Sequence, residues 1–153
     1  MTLARYSGWI LLAHPHFEDQ WSTLSNEVFR LASKNPETYR SHPKTKRLAT
    51  VEKLLFEVIP ADPSNRLWLQ GNTLGSENRS WRRAKFGERF RLFFRFDSSS
   101  KIIVYGWMND ERTLRARHSK KDAYSVFSSM LESGNPPSRW DELVDVSSGF
   151  PSE

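Results

Sequence analysis

A chain of 153 residues with a net charge of +5 and no cysteine is long enough for one domain with a hydrophobic core and short for two, so residues 1–153 are expected to form a single domain. The missing cysteines exclude a disulfide scaffold and any cysteine-held metal cluster. No apolar run approaches the roughly 20 residues of a membrane span. The stretch 9–13 has only Arg5 ahead of it and His14-Pro15-His16 behind, which does not fit a signal peptide; a soluble, cytoplasmic protein with no membrane partner is expected.

Phe17, Trp21, Leu24, Val28 and Leu31 recur at helical spacing and predict a first helix, entered after Pro15 and stopped at Asn35-Pro36. A second helix is expected over residues 36–59, kinked or split at Pro43. Its inward residues would be Leu48, Val51, Leu55 and Val58, and its polar face Lys44, Lys46, Arg47 and Lys53. Residues 60–64, with two prolines, read as a turn. The period then changes to two, and residues 81–86, 89–96 and 101–107 read as antiparallel strands. In the middle strand Phe90, Leu92, Phe94 and Phe96 share one side, while Arg89, Arg91, Phe93 and Arg95 share the other. Residues 102–105 are apolar on both sides, as in a central strand. A last helix is expected over residues 122–132, capped by Asp122 and stopped by Gly134, with residues 141–153 a flexible tail. The expected fold is α+β: N-terminal helices packed on the apolar face of a small antiparallel sheet, with a C-terminal helix.

Charge is unevenly distributed. Between Arg79 and Lys121 thirteen Lys and Arg face four acids, so this segment carries +9, whereas the remainder, with ten basic and fourteen acidic residues, carries −4. A basic module inside a mildly acidic chain points to a polyanionic partner such as a nucleic acid, or to an acidic protein; a solvated charged surface is the plainer alternative. Arg83 and Lys85 alternate on one predicted strand, and Arg89, Arg91 and Arg95 on the next. Pairing those strands clusters cations on one surface, with only Glu88 and Asp97 at hand as acidic partners. Arginine offers forked donors that match phosphate oxygens.

RNA carries its own nucleophile, because the 2′-hydroxyl can displace the 5′-oxygen of the adjacent phosphate. A protein need supply only a proton acceptor, cations for the phosphorane and a proton for the leaving oxygen. Arg91 is the candidate for stabilising the phosphorane. Lys85 is the candidate base, since neighbouring positive charge disfavours a protonated amine. Tyr124, which opens the last helix, could stack on a base, donate a proton or belong to the core. His118 is a possible additional acid or base. His14, His16 and His42 lack metal-ligand spacing. There is no glycine-rich phosphate loop, GxSxG or HExxH, and no metal or cofactor is expected.

Gly8-Trp9, Ala13-His14-Pro15, Lys85-Phe86-Gly87, Arg91-Leu92-Phe93-Phe94-Arg95, Gly106-Trp107-Met108-Asn109-Asp110-Glu111, Thr113-Leu114-Arg115, Asp122-Ala123-Tyr124, Val126-Phe127 and Pro136-Pro137 together resemble the YhaV toxins over nearly the whole chain. The resemblance implies a RelE-like toxin: a metal-independent endoribonuclease acting on mRNA in association with the ribosome. It further implies silencing by a PrlF-type, AbrB-like antitoxin, through whose complex DNA would be bound. On this resemblance the catalytic set falls on Arg83, Lys85, Arg91, Arg115 (less securely Arg117) and Tyr124, with Arg89, Arg95, Arg117, Lys120 and Lys121 as further RNA-binding cations. Arg117-His118 departs from the family, which carries an aromatic residue and a glycine there. Asn109-Asp110 reads as a turn cap. Two other readings use the same basic surface: a non-catalytic RNA- or ribosome-binding translation inhibitor, and a protein whose cations chiefly hold an acidic antitoxin.

Overall fold

The computed structural model describes residues 3–150. Six strands form one sheet: β1 (Arg5–Tyr6), β2 (Trp9–Ala13), β3 (Arg82–Phe86), β4 (Phe90–Asp97), β5 (Ile102–Met108) and β6 (Ser148–Gly149), in the spatial order β1-β2-β5-β4-β3 with β6 also against β2. Four helices pack on it: α1 (Pro15–Lys34), α2 (Pro43–Lys53), α3 (Ala123–Glu132) and α4 (Trp140–Val146).

The three expected strands are present and antiparallel, but the sheet is mixed. Residues 9–13 form the unanticipated β2, which runs parallel to β5 with Leu12 opposite Val104. Parallel neighbours need a long crossover, and here everything from α1 to β4 supplies it. β5 is central, as its apolar residues predict: Ile103 and Tyr105 enter one core, Val104 and Trp107 the other.

Helices cover both faces, not only the more apolar one. On one side Phe17, Leu24 and Val28 of α1 and Val51 of α2 meet Leu92, Phe94 and Tyr105. On the other, Tyr124, Phe127 and Leu131 of α3 and Leu143 of α4 meet Phe93, Trp81 and Trp107. The predicted arginine face is thus roofed along part of its length. A bulge makes this possible. Phe93 pairs with Trp107 but Phe94 pairs with Tyr105, so Gly106 is the extra residue. A Cβ on Gly106 would lie 2.5 Å from the Trp81 ring, which accounts for a glycine in mid-sheet.

The second helix is split, as Pro43 suggests: a single turn over Tyr39–Ser41 precedes α2, which starts at Pro43 under a His42 cap. Val58 is exposed and Ile59 fully buried, because α2 widens over Leu54–Val58 and the Ile59 N–H reaches back five residues to the Leu54 carbonyl. One extra residue per turn rotates the inward face by one position. The Leu55 carbonyl would then need the N–H of residue 60, a proline. The Tyr105 hydroxyl donates to it instead, at 2.7 Å, and burial drives the Tyr105 phenol well above its ordinary range. Helical backbone continues to Ala61, so the turn expected at residue 60 begins two residues later.

Residues 141–150 are ordered rather than a flexible tail. Leu143 of α4 is fully buried, Ser148 pairs with Ala13, and Phe150 packs edge-on against Phe17 and Tyr105. Residues 151–153 lie outside the described part. No described helix is long and apolar enough to cross a membrane.

His14 caps α1, its Nδ1 accepting from the His16 N–H at 3.0 Å. Burial, reinforced by the charge of His16, holds its imidazole down at about 4 against an ordinary 6.5. The unfolded chain therefore takes up this proton first. The stability tied to neutral His14 is complete above pH 6.5 and declines as the pH falls from 6.5 towards 4. His14→Asn, which keeps a capping oxygen, is expected to lose urea midpoint more gently than the unaltered chain over that interval. Equal slopes would show that His14 carries none of the dependence.

Candidate active site

The site begins at the β3–β4 hairpin. The register sets Lys85 directly opposite Arg91 and Arg83 opposite Phe93, so Arg83, Lys85 and Arg91 share the face covered by α3. The turn at Gly87 and Glu88 takes positive φ of 51° and 60°. At the far end of β4's neighbour, Asn109 is buried and spends its whole amide on backbone. Its Oδ1 accepts from the Arg91 N–H at 2.7 Å, and its Nδ2 donates to the Arg89 and Thr113 carbonyls at 3.1 and 2.7 Å. This is more than the turn cap expected of it. It fastens the loop after β5 to the start of β4, and Arg115 lies on that loop, its N–H donating to the Arg89 carbonyl at 2.9 Å.

Tyr124 enters from the first turn of α3, its ring edge-on to Phe93 at 5.5 Å. Its hydroxyl oxygen accepts from Arg83 Nε at 3.0 Å and from Arg91 Nε at 3.2 Å. The Arg115 guanidinium lies over the ring, 4.5 Å from its centre. Tyr124 is therefore neither free surface nor plain core: its ring is packed and its tip joins two strands.

Each arginine is anchored at one terminal nitrogen. Arg83 Nη1 donates to the Leu67 carbonyl at 3.1 Å, and Arg91 Nη1 to those of Glu88 and Phe90 at 2.8 and 2.9 Å. Arg115 Nη1 donates to Asp122 Oδ2 at 2.9 Å. The Nη2 groups of all three find no hydrogen-bond partner among the described residues. The acids that looked available in sequence are not used. Asp97 turns to Ser100, which holds its carboxyl below the usual range, and Glu88 contributes only its carbonyl. Asp122, read from sequence as a helix cap alone, supplies the one carboxylate that meets this cluster among the described residues, a contact that spacing along the chain does not reveal.

Other predicted residues fall into three groups. Lys85 is exposed beside Arg91 with no hydrogen-bonded or ionic partner among the described residues, and Arg89 is tied through Nε to the Arg115 carbonyl at 3.0 Å. Arg117, His118, Lys120 and Lys121 are exposed on the loop from Arg115 to Asp122. His118 there takes φ +66°, a conformation that histidine tolerates. Arg95 does not join the cluster. Its guanidinium lies between the rings of Trp81 and Trp140, and Nη1 donates to the Ser138 carbonyl at 2.6 Å. Burial, together with the charge of Arg82, lowers its pKa. Among the described residues no three His, Cys, Asp or Glu come together as a metal site would need.

Asn109→Ala would leave the buried Arg91 N–H without an acceptor, at a cost of about 1–3 kcal/mol. Chemical denaturation is expected to show a loss of that size, and an unchanged midpoint would refute the clamp.

The arrangement gathers three guanidinium groups around one phenol. The chain is 48% identical over 142 residues, 92% of each chain, to Toxin YhaV of Escherichia coli O6:H1, and equally so to Ribonuclease toxin YhaV of Escherichia coli K12. A family described as a toxin with endonuclease activity, of toxin–antitoxin system, matches residues 11–148. The chain therefore belongs to the YhaV family of endonuclease toxins of toxin–antitoxin systems.

Proposed function

We propose that this toxin is a metal-independent endoribonuclease of RelE-like fold that cleaves mRNA through the substrate's own 2′-hydroxyl. The observation that carries the reading is the set of three guanidinium groups gathered on Tyr124, each anchored at one end and open at Nη2. As the 2′-oxygen bonds to phosphorus and the bond to O5′ breaks, the phosphorane gains negative charge. Donors fixed in advance at that place lower the barrier without reorganising. Arg91, the most deeply held, is the phosphorane stabiliser, with Arg83 and Arg115 on either side. Lys85, beside Arg91 and unpaired, accepts the 2′-proton, and Tyr124 or His118 returns one to O5′. The products are a 2′,3′-cyclic phosphate and a 5′-hydroxyl.

Arg89 and the loop cations Arg117, Lys120 and Lys121 bind neighbouring phosphates in this reading, so affinity falls steeply with salt. The toxin acts in the cytoplasm, on ribosome-associated messages, and a PrlF-type antitoxin silences it and links it to DNA.

Arg91→Ala is expected to slow cleavage by about 10²–10³-fold, the usual loss for a removed oxyanion donor, and Lys85→Ala by about 10²–10⁴-fold. Both variants should relieve growth arrest while remaining folded. A message whose target nucleotide lacks the 2′-hydroxyl should stay intact. Arrest at full strength in both variants would refute the site. Primer extension after brief expression should show new 5′ ends; translation arrest with intact messages would favour a non-catalytic binder.

A further inference from the structure

Asp122 is a buried carboxylate, 2% exposed, with more hydrogen bonds than a helix cap requires. Oδ2 accepts from the Tyr124 and Ser125 N–H groups at 3.0 and 3.4 Å, which is the cap. Oδ1 accepts from the Ala116 N–H at 2.6 Å, and Oδ2 also takes Arg115 Nη1 at 2.9 Å. One side chain thus fixes the backbone that carries Tyr124, the loop that carries Arg115, and the guanidinium of Arg115 itself. Capping alone would be served by a neutral Asn or Ser. A negative charge buried here is explained by its cationic partner, since an unpaired buried carboxylate is strongly disfavoured.

We propose that Asp122 is the positioning residue of the active site, acting through Arg115: its charge holds the guanidinium over the Tyr124 ring with Nε and Nη2 left open towards substrate. The other two arginines are held by neutral oxygens, from carbonyls and the phenol. Arg115, which comes from a loop, is held by a charge. The inference rests on the reading of this cluster as the RNA-cleaving site.

The test uses the full chain on a message that the unaltered toxin cleaves, isolated or ribosome-bound. Asp122→Asn keeps one oxygen for the helix cap but drops the charge and the second acceptor, which takes the Ala116 N–H, and it is expected to lower kcat by about 10²-fold, the scale of a misplaced catalytic group, with KM unchanged. In an Arg115→Ala background the same substitution should add no further loss, because its partner is already gone. A purely structural carboxylate would instead weaken both backgrounds alike, and that result overturns the proposal. So does wild-type cleavage by Asp122→Asn while Arg91→Ala is inactive. Should Arg91→Ala cleave normally, the reading of the site fails first. If Asp122→Asn does not fold, Asp122→Ser, which also caps but is too short to reach Arg115, replaces it. Loss of a cooperative thermal transition in both would make Asp122 a stabilising residue and end the proposal.

Discussion

Three guanidinium groups converge on one phenol, and the rest of the molecule is arranged to let them. Like charges a few ångströms apart repel, and no layer of carboxylates neutralises these. They are held by carbonyls of Leu67, Glu88 and Phe90, by the Tyr124 oxygen and by one carboxylate at Asp122. Neutral acceptors fix direction without cancelling charge, so the cluster keeps its positive charge. In water such a cluster would disperse. Here β3–β4 pairing, the Asn109 clamp and the first turn of α3 each constrain one member.

Rigidity under the cluster comes from the second core. Phe93 lies on the same face of β4 as Arg91. Its ring stacks on Phe127 at 4.4 Å between centres and on Trp107 at 6.2 Å. Plain alternation would put Trp107 on the opposite side, with Tyr105. The bulge at Gly106 inverts the sides from that point, which builds the aromatic stack on which α3, and so Tyr124, is seated. A glycine against Trp81 is therefore connected to the placement of Tyr124 through packing alone.

Sequence reasoning reached the β3–β4–β5 meander, α1, α3 and most of the cationic set, because each rests on local signals. Period-two arginines mark the strands, and Asp122 before an apolar run marks a helix start. Features that depend on distant partners were not legible. β2 looks like any short apolar run until its parallel pairing with β5, some ninety positions away, is known. The inward residue at position 59 follows from a widened turn that no hydrophobic pattern announces. Residues 141–150 read as a tail because their polar, acidic composition masks Leu143 and Phe150, which pack into the two cores. Arg95 shows the limit of reading faces alone: it lies on the predicted side of β4, yet two tryptophans from other segments claim it.

The cations divide by how firmly they are held, and under the proposed function the division matches two different tasks in RNA cleavage. A transition state lasts too briefly for side chains to rearrange, so groups that stabilise it must be fixed beforehand. Arg83, Arg91 and Arg115 meet that condition, each with two or more directional contacts. A flexible polyanion is better met by charges that can follow it, and Arg117, Lys120 and Lys121 are exposed on a loop, their side chains without hydrogen-bond or ionic partners among the described residues. The junction between fixed and mobile cations is the segment from Arg115 to Asp122. An ion pair joins its two ends, and in its middle it bends through the left-handed backbone of His118. That geometry accounts for one carboxylate in a cluster otherwise held by neutral oxygens: besides capping α3, it closes the loop that carries both kinds of cation by joining its ends.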